Sequence, residues 1–216
     1  SGWALQTNAR TIAAELLRSV RTIDPHCSEM RGASRTDAGV HALAQRVTFA
    51  TCKSIAPRGW VLALTQQLPR EIAVVRAAAV DPAHDPRRLA TRKTYRYSVL
   101  ESPVHDPFLH GRAWRVHQRL NQSTMHDALH TLLGEHDFRA FRSAADSRAG
   151  TVRNILRAEL CADPRDPRLL YIEVEGDRFM HHMVRIICGS LVDIGRGRLP
   201  MDALKRALGS GNRGDL

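Results

Sequence analysis

Apolar positions at Ile12, Leu16 and Val20 recur at helical spacing, and Asn8 ahead of them supplies a cap, which predicts an amphipathic helix from Asn8 to Val20. The pattern then shortens to alternation over Arg46 to Thr51, a strand. Pro57 opens a second helix that runs to Gln67, and Glu71 to Val80 and Thr94 to Leu100 read as further strands. Beyond the prolines at 103 and 107 a comparable inventory follows. It comprises a strand from Arg112 to Val116, a helix from Ser123 to Leu133 stopped by Gly134, strands from Asn154 to Cys161 and Leu169 to Glu175, and a long helix from Phe179 to Ile194. The pattern divides into two α+β halves, residues 1–102 and 103–216, with no short tandem repeat. No apolar run reaches the roughly 18 residues of a membrane helix, since Arg185 and Asp193 interrupt the longest.

Composition narrows the function classes. The chain has 216 residues, 43% hydrophobic and 25% charged, which suits a packed core and argues against disorder. Basic residues number 32 against 22 acidic, a net charge of +10, and only Lys53, Lys93 and Lys205 are lysines. Arginine forks bind phosphate bidentately and stack on bases, so a polyanion such as nucleic acid heads the partner classes; a codon bias toward arginine is the other source of such an excess. Cys27, Cys52, Cys161 and Cys188 form neither a CxxC pair nor a finger spacing, so reduced cysteines are expected, with no zinc module and no disulfide framework.

Candidate chemistry concentrates between two expected strands. The segment RGASRTDAGVHALAQ (residues 31–45) puts Arg35 and Asp37 on a loop with Gly32 and Gly39 permitting tight turns. On its own an Asp there reads as a turn cap and the Arg as surface charge. In the last expected helix His182, Arg185 and Gly189 share one face and Phe179, Met183, Ile186, Ile187 and Ile194 another, so Arg185 needs a partner or must snorkel. His181 and His182 lack an HExxH pattern or a neighbouring cysteine pair, so no metal is expected.

RTDAGVHALAQ resembles the active-site loop of the TruA family of tRNA pseudouridine synthases. ATRKTYRYSVL (residues 90–100), HDFRAFRSA with SRAGTVRNI (residues 136–155) and FMHHMVRIICGSLVDIG (residues 179–195) resemble the family's later motifs in its order and at similar spacing. The HHMVR form is similar to the bacterial-type branch. The resemblance implies two ferredoxin-like halves that form a mostly antiparallel sheet flanked by helices, around a basic central cleft. It implies isomerisation of uridine to pseudouridine in tRNA, in the anticodon arm, with no cofactor.

The family pattern carries over residue by residue. Asp37 becomes the catalytic nucleophile or base, Arg185 its ion-pair partner, and Arg35 the residue that fills the space of a flipped nucleotide or holds a phosphate. Tyr95 becomes the aromatic that stacks on the uracil; alternation puts Tyr97 on the same strand face, and only the motif register separates the two. Arg35, Arg87, Arg148 and Arg153 become RNA contacts. The implied partners are tRNA and a second copy in a homodimer, with no membrane and no metal. The compartment is intracellular, cytoplasm first and an organelle second.

Some positions depart from the family. The chain opens at SGWALQ, with Ala4 where Gln is usual and without the preceding YDG strand, and ends at NRGDL before the closing APxxGL strand, so it reads as truncated at both ends. Ser34, Thr65, Gln67 and His84 also differ from the usual residues. The alternatives are a noncatalytic RNA-binding or assembly factor on the same fold and, more remotely, a metal-dependent nuclease.

Overall fold

The computed structural model describes residues 2–146 and 150–216. Contacts divide the α+β chain into two compact units, Ser1–Thr91 and Arg92–Leu216.

In the first unit the order is α1 (Ile12–Ile23), β1 (Met30–Gly32), β2 (Val47–Phe49) and α2 (Pro57–Gln67). Helix α1 starts later than Asn8. The Thr11 hydroxyl accepts from the Ala14 N–H at 3.3 Å, and the carbonyls of Gly2 and Trp3 accept from Ile12 and Ala13, so the free first-turn donors find their partners there. Ala13, Leu16, Leu17 and Val20 recur at steps of three and four and are buried with Trp60 and Leu64 of α2. Phe49 meets the Trp60 ring edge-on, centroids 5.0 Å apart. β1 and β2 pair antiparallel, Met30 opposite Phe49.

The strand expected over Glu71 to Val80 does not form. Its alternation is realised, with Ile72 and Val74 half-buried and Ala73 and Val75 exposed, and Val74 and Ala77 pack on the core. Among the described residues no strand pairs with it, and a strand is defined by its ladder as much as by its alternation.

Asp24 closes α1. Its carboxylate is fully buried and accepts from the Thr51 hydroxyl (2.6 Å), the Cys52 N–H (2.9 Å) and the His26 N–H (3.2 Å). The Thr51 hydrogen bond is the largest influence on its pKa and, with the backbone N–H of Cys52, outweighs burial and lowers it to about 2. This carboxylate fastens the helix end to the segment after β2.

The second unit holds β3 (Lys93–Glu101), β4 (Trp114–Val116), α3 (Gln122–His130), β5 (Gly134–Asp137), β6 (Val152–Ala162), β7 (Leu169–Gly176), α4 (Met183–Gly195) and α5 (Ala203–Ser210). Its sheet runs β4-β3-β7-β6-β5; only the β3–β4 pair is parallel. Along β7, Leu170, Ile172 and Val174 enter a core shared with Leu129, Phe138, Phe141, Met183, Ile187 and Leu191. On the opposite face Glu173 takes Arg96 of β3 (2.6 Å) and Arg157 of β6 (3.1 Å). The strand Lys93–Glu101 is thus an inner strand of the second unit's sheet, while the sequence reading sets its boundary after residue 102.

Helix α4 begins at Met183, four residues later than the apolar stripe suggests. His182 stands at φ 61°, in the left-handed region, and the His181 N–H is taken by the Asp146 carboxylate at 3.0 Å, so the backbone ahead of Met183 is committed elsewhere. Helix α3 runs from Gln122 to His130 behind an Asn121 cap whose side chain accepts from the Thr124 N–H at 3.2 Å. Strand β1 stands where a strand is expected ahead of the Arg35–Asp37 loop, whereas strand β5 and helix α5 are elements the periodicity reading does not contain. Among the described residues no helix is long and apolar enough to cross a membrane.

Candidate active site

In the first unit the loop 33–46 joins β1 to β2. Its base continues the ladder: the Ala33 N–H donates to Arg46 O at 2.9 Å, and the Gln45 amide donates to Ser34 O at 2.6 Å. Beyond that clamp Arg35, Thr36 and Asp37 have no regular structure. Their backbone is nonetheless held, because Thr36 O accepts the Trp3 N–H at 3.0 Å and Asp37 O accepts the Val40 N–H at 3.2 Å across a turn. Gly39 in that turn has φ +79°, a conformation costing other residues roughly 1–2 kcal/mol. Asp37 is half-buried and Arg35 exposed, so the loop presents an acid and a guanidinium two residues apart from an anchored backbone.

A concavity of about 490 Å³ lies beside the loop, floored by Trp3, Ala4, Leu5 and Gly32 and rimmed by Arg31, Arg35, Asp85 and Arg87. The Asp85 carboxylate accepts the N–H groups of Arg87 (2.8 Å) and Arg88 (3.2 Å), which lowers its pKa and fixes the turn from which Arg87 projects. The fold therefore brings Arg35 and Arg87 to one groove, from positions far apart in sequence. Guanidiniums on such a rim suit phosphate oxygens.

In the second unit Tyr95 sits on β3 opposite Val174, and its ring meets Phe179 edge-to-face, centroids 5.0 Å apart at 74°. Tyr97, on the same strand face, packs instead on Trp114 (6.2 Å) and the main core, and burial raises its phenol pKa against a smaller lowering by the Arg185 charge. Both tyrosines are half-buried but differ in their neighbours: Tyr97 packs against the main core, whereas Tyr95 borders Phe179 in the segment leading to α4. Arg185 is exposed in the first turn of α4.

That leading segment is itself pinned. The Ser143 N–H donates to His181 O at 3.2 Å while the buried Asp146 carboxylate accepts the His181 N–H, a reciprocal clasp between loop and helix entry. The His181 and His182 rings stack at 3.7 Å. Arg153 on β6 turns its fork to backbone, donating to Val152 O (2.6 Å) and Gly150 O (3.2 Å). Arg148 lies outside the described residues. Three contributors escaped the sequence reading: Asp146, Phe179 as the partner of Tyr95, and the Gly2–Trp3 pair. For Asp146 and Phe179 no sequence signal points to the contact; for Gly2–Trp3 the adjacent Gly-Trp dipeptide was a usable one.

A protein-family model described as tRNA pseudouridine synthase matches residues 4–86 and 128–216. The chain is 34% identical to tRNA pseudouridine synthase A of Acetivibrio thermocellus over 98% of its own length and 86% of that protein's. It is 36% identical to tRNA pseudouridine synthase A of Albidiferax ferrireducens, covering 98% of the chain and 80% of the relative. Against the protein of that name in Citrifermentans bemidjiense it is 34% identical, covering 98% and 84%.

Proposed function

Since the chain belongs to the tRNA pseudouridine synthase family, we propose that it works through the Asp37 carboxylate on a uridine in the anticodon arm. The protein is an isomerase that converts uridine in tRNA to pseudouridine. The reaction breaks the bond from N1 to ribose C1′ and joins C5 to C1′; C5 gives up a proton and N1 gains one, so no atom is added or lost. Neither a cofactor nor a metal enters this reading.

The observation that carries it is the anchored loop. Asp37 is half-buried on a backbone held at Thr36 and at its own carbonyl, so a carboxylate is offered in a fixed place. Fixing a reacting group in place removes orientational entropy from the barrier. It acts as nucleophile or base, and either role draws on the ionised carboxylate.

A uridine within structured RNA must leave its stack to be reached. Arg35 takes the vacated space or a flanking phosphate, and Arg87 on the same rim takes another phosphate. Tyr95 stacks on the uracil, with its own ring steadied by Phe179; the packing of Tyr97 against Trp114 and the main core supports that choice. Arg185 is assigned the counter-cation of the carboxylate on the family's pattern, supported by its exposure at the start of α4. Arg148 and Arg153 are read as further RNA contacts, although the Arg153 fork also braces its own strand. The same reading takes the protein as a homodimer with tRNA bridging both copies, acting in the cytoplasm.

Pseudouridine mapping of unmodified tRNA transcripts after incubation with the protein tests the position. New pseudouridine confined to the anticodon arm is expected; modification elsewhere would move the target.

A further inference from the structure

We propose that Gly2 and Trp3 are positioning residues for Asp37, fastening its loop to the start of α1; the inference rests on the reading of Asp37 as the catalytic carboxylate. Two adjacent peptide groups make the link. On one side the Trp3 N–H donates to Thr36 O at 3.0 Å, the carbonyl next to Asp37. On the other, Gly2 O and Trp3 O each accept at 3.2 Å from Ile12 and Ala13, the first residues of α1. The helix's unpaired donors are thereby chained to the loop that bears the carboxylate.

Side-chain contacts tighten the same link. The Trp3 indole is 8% exposed and packs in the first unit's core. It also lies on Gly32, where an added Cβ would come 2.6–2.8 Å from Cε2, Cζ2 and Nε1. Gly32 is the last residue of β1 before the loop. At Gly2 an added Cβ would stand 2.3 Å from Thr36 O and 2.9 Å from the Asp37 carbonyl carbon. Both atoms are backbone, so relief must come from the main chain, parting Gly2 from the Thr36–Asp37 backbone by about 1 Å to reach ordinary contact. A misplacement of that size at a reacting group costs about 100-fold in rate. The close approach at Gly2 therefore sets where the carboxylate stands.

The test compares Gly2→Ala, Asp37→Asn and, as a stability control, Leu64→Val in the core, each assayed on tRNA well below its melting temperature. Gly2→Ala is expected to lower kcat about 10- to 100-fold while KM and tRNA affinity stay within about twofold. Leu64→Val is expected to keep wild-type kcat at comparable loss of melting temperature. Full kcat in Gly2→Ala beside an inactive Asp37→Asn overturns the positioning role and leaves the carboxylate's role standing. An active Asp37→Asn overturns the catalytic reading on which the proposal depends. Parallel kcat losses in Gly2→Ala and Leu64→Val would make the effect one of stability and overturn the proposal.

Should Gly2→Ala not fold, Trp3→Phe and Gly32→Ala carry the same test. Gly32→Ala alone crowds the indole, and the smaller ring of Trp3→Phe makes room, so kcat in the double variant is expected to recover above that of Gly32→Ala. Strictly additive losses would contradict the link.

Discussion

The rings of Tyr95 and Phe179 meet edge-to-face at 5.0 Å, joining the second residue after Lys93 on β3 to the segment that enters α4. Stacking of a base on an aromatic is worth about 1–3 kcal/mol, so Tyr95→Leu is expected to lower kcat/KM about 5- to 150-fold. Tyr95→Phe keeps the ring and is expected to retain most of the activity. Phe179→Leu leaves Tyr95 unsteadied and should fall between them. Steady-state kinetics on a tRNA transcript checks the order; equal losses for Phe and Leu at position 95 would assign the effect to the hydroxyl.

Arg35 and Arg87 share one groove, and as proposed phosphate contacts they would act on RNA electrostatically. Each replacement by Ala is expected to reduce the slope of log affinity against log salt by about one. Arg87→Ala should weaken affinity with little change in single-turnover rate. Arg35→Ala should lower both, because the proposed role puts it where the nucleotide leaves its stack. Filter binding across a salt series, paired with single-turnover assays, separates the two; an unchanged slope would remove either residue from the phosphate contacts.

The fold and the site were legible to different depths. Helix α2 was readable to its ends because Pro57 fixes the start and the apolar spacing fixes the rest. The start of α1 was not, since Asn8 is the better cap by residue type and the choice of Thr11 falls to the distant carbonyls of Gly2 and Trp3. Likewise Phe179 to His182 continues the apolar pattern of α4, but the Asp146 carboxylate holds His181 and His182 turns left-handed. Alternation in residues 71–80 was real, but a ladder partner cannot be read from one segment. Strand β5, GEHD, carries no apolar alternation at all. For the site, the motif proposes Asp37 and Tyr95; that Tyr97 packs against Trp114 and the main core while Tyr95 borders Phe179 is a property of packing, which alternation alone cannot express.

The Asp24 carboxylate gives a pH signature separate from catalysis. Its folded pKa is lowered to about 2, below the unfolded value of about 3.9, so the unfolded state binds the proton more tightly. Its stabilising contribution is therefore complete above about pH 4 and is lost as the pH falls toward 2. Melting curves of the wild type and Asp24→Asn are expected to differ most at neutral pH and to converge through that window. A difference that persists undiminished at pH 2 would show that the carboxylate's charge is not what stabilises the fold.

The Asp37 carboxylate is most directly tested by pseudouridine formation in a single turnover, comparing the protein with Asp37→Asn and Asp37→Glu on the same transcript. Asn keeps the size and removes the charge, so a rate lowered by at least about 1,000-fold with tRNA affinity within about twofold is expected. Glu restores the charge at a shifted position and should recover only part of that rate. Pseudouridine forming in Asp37→Asn at a rate near the wild type's would contradict the assignment of Asp37.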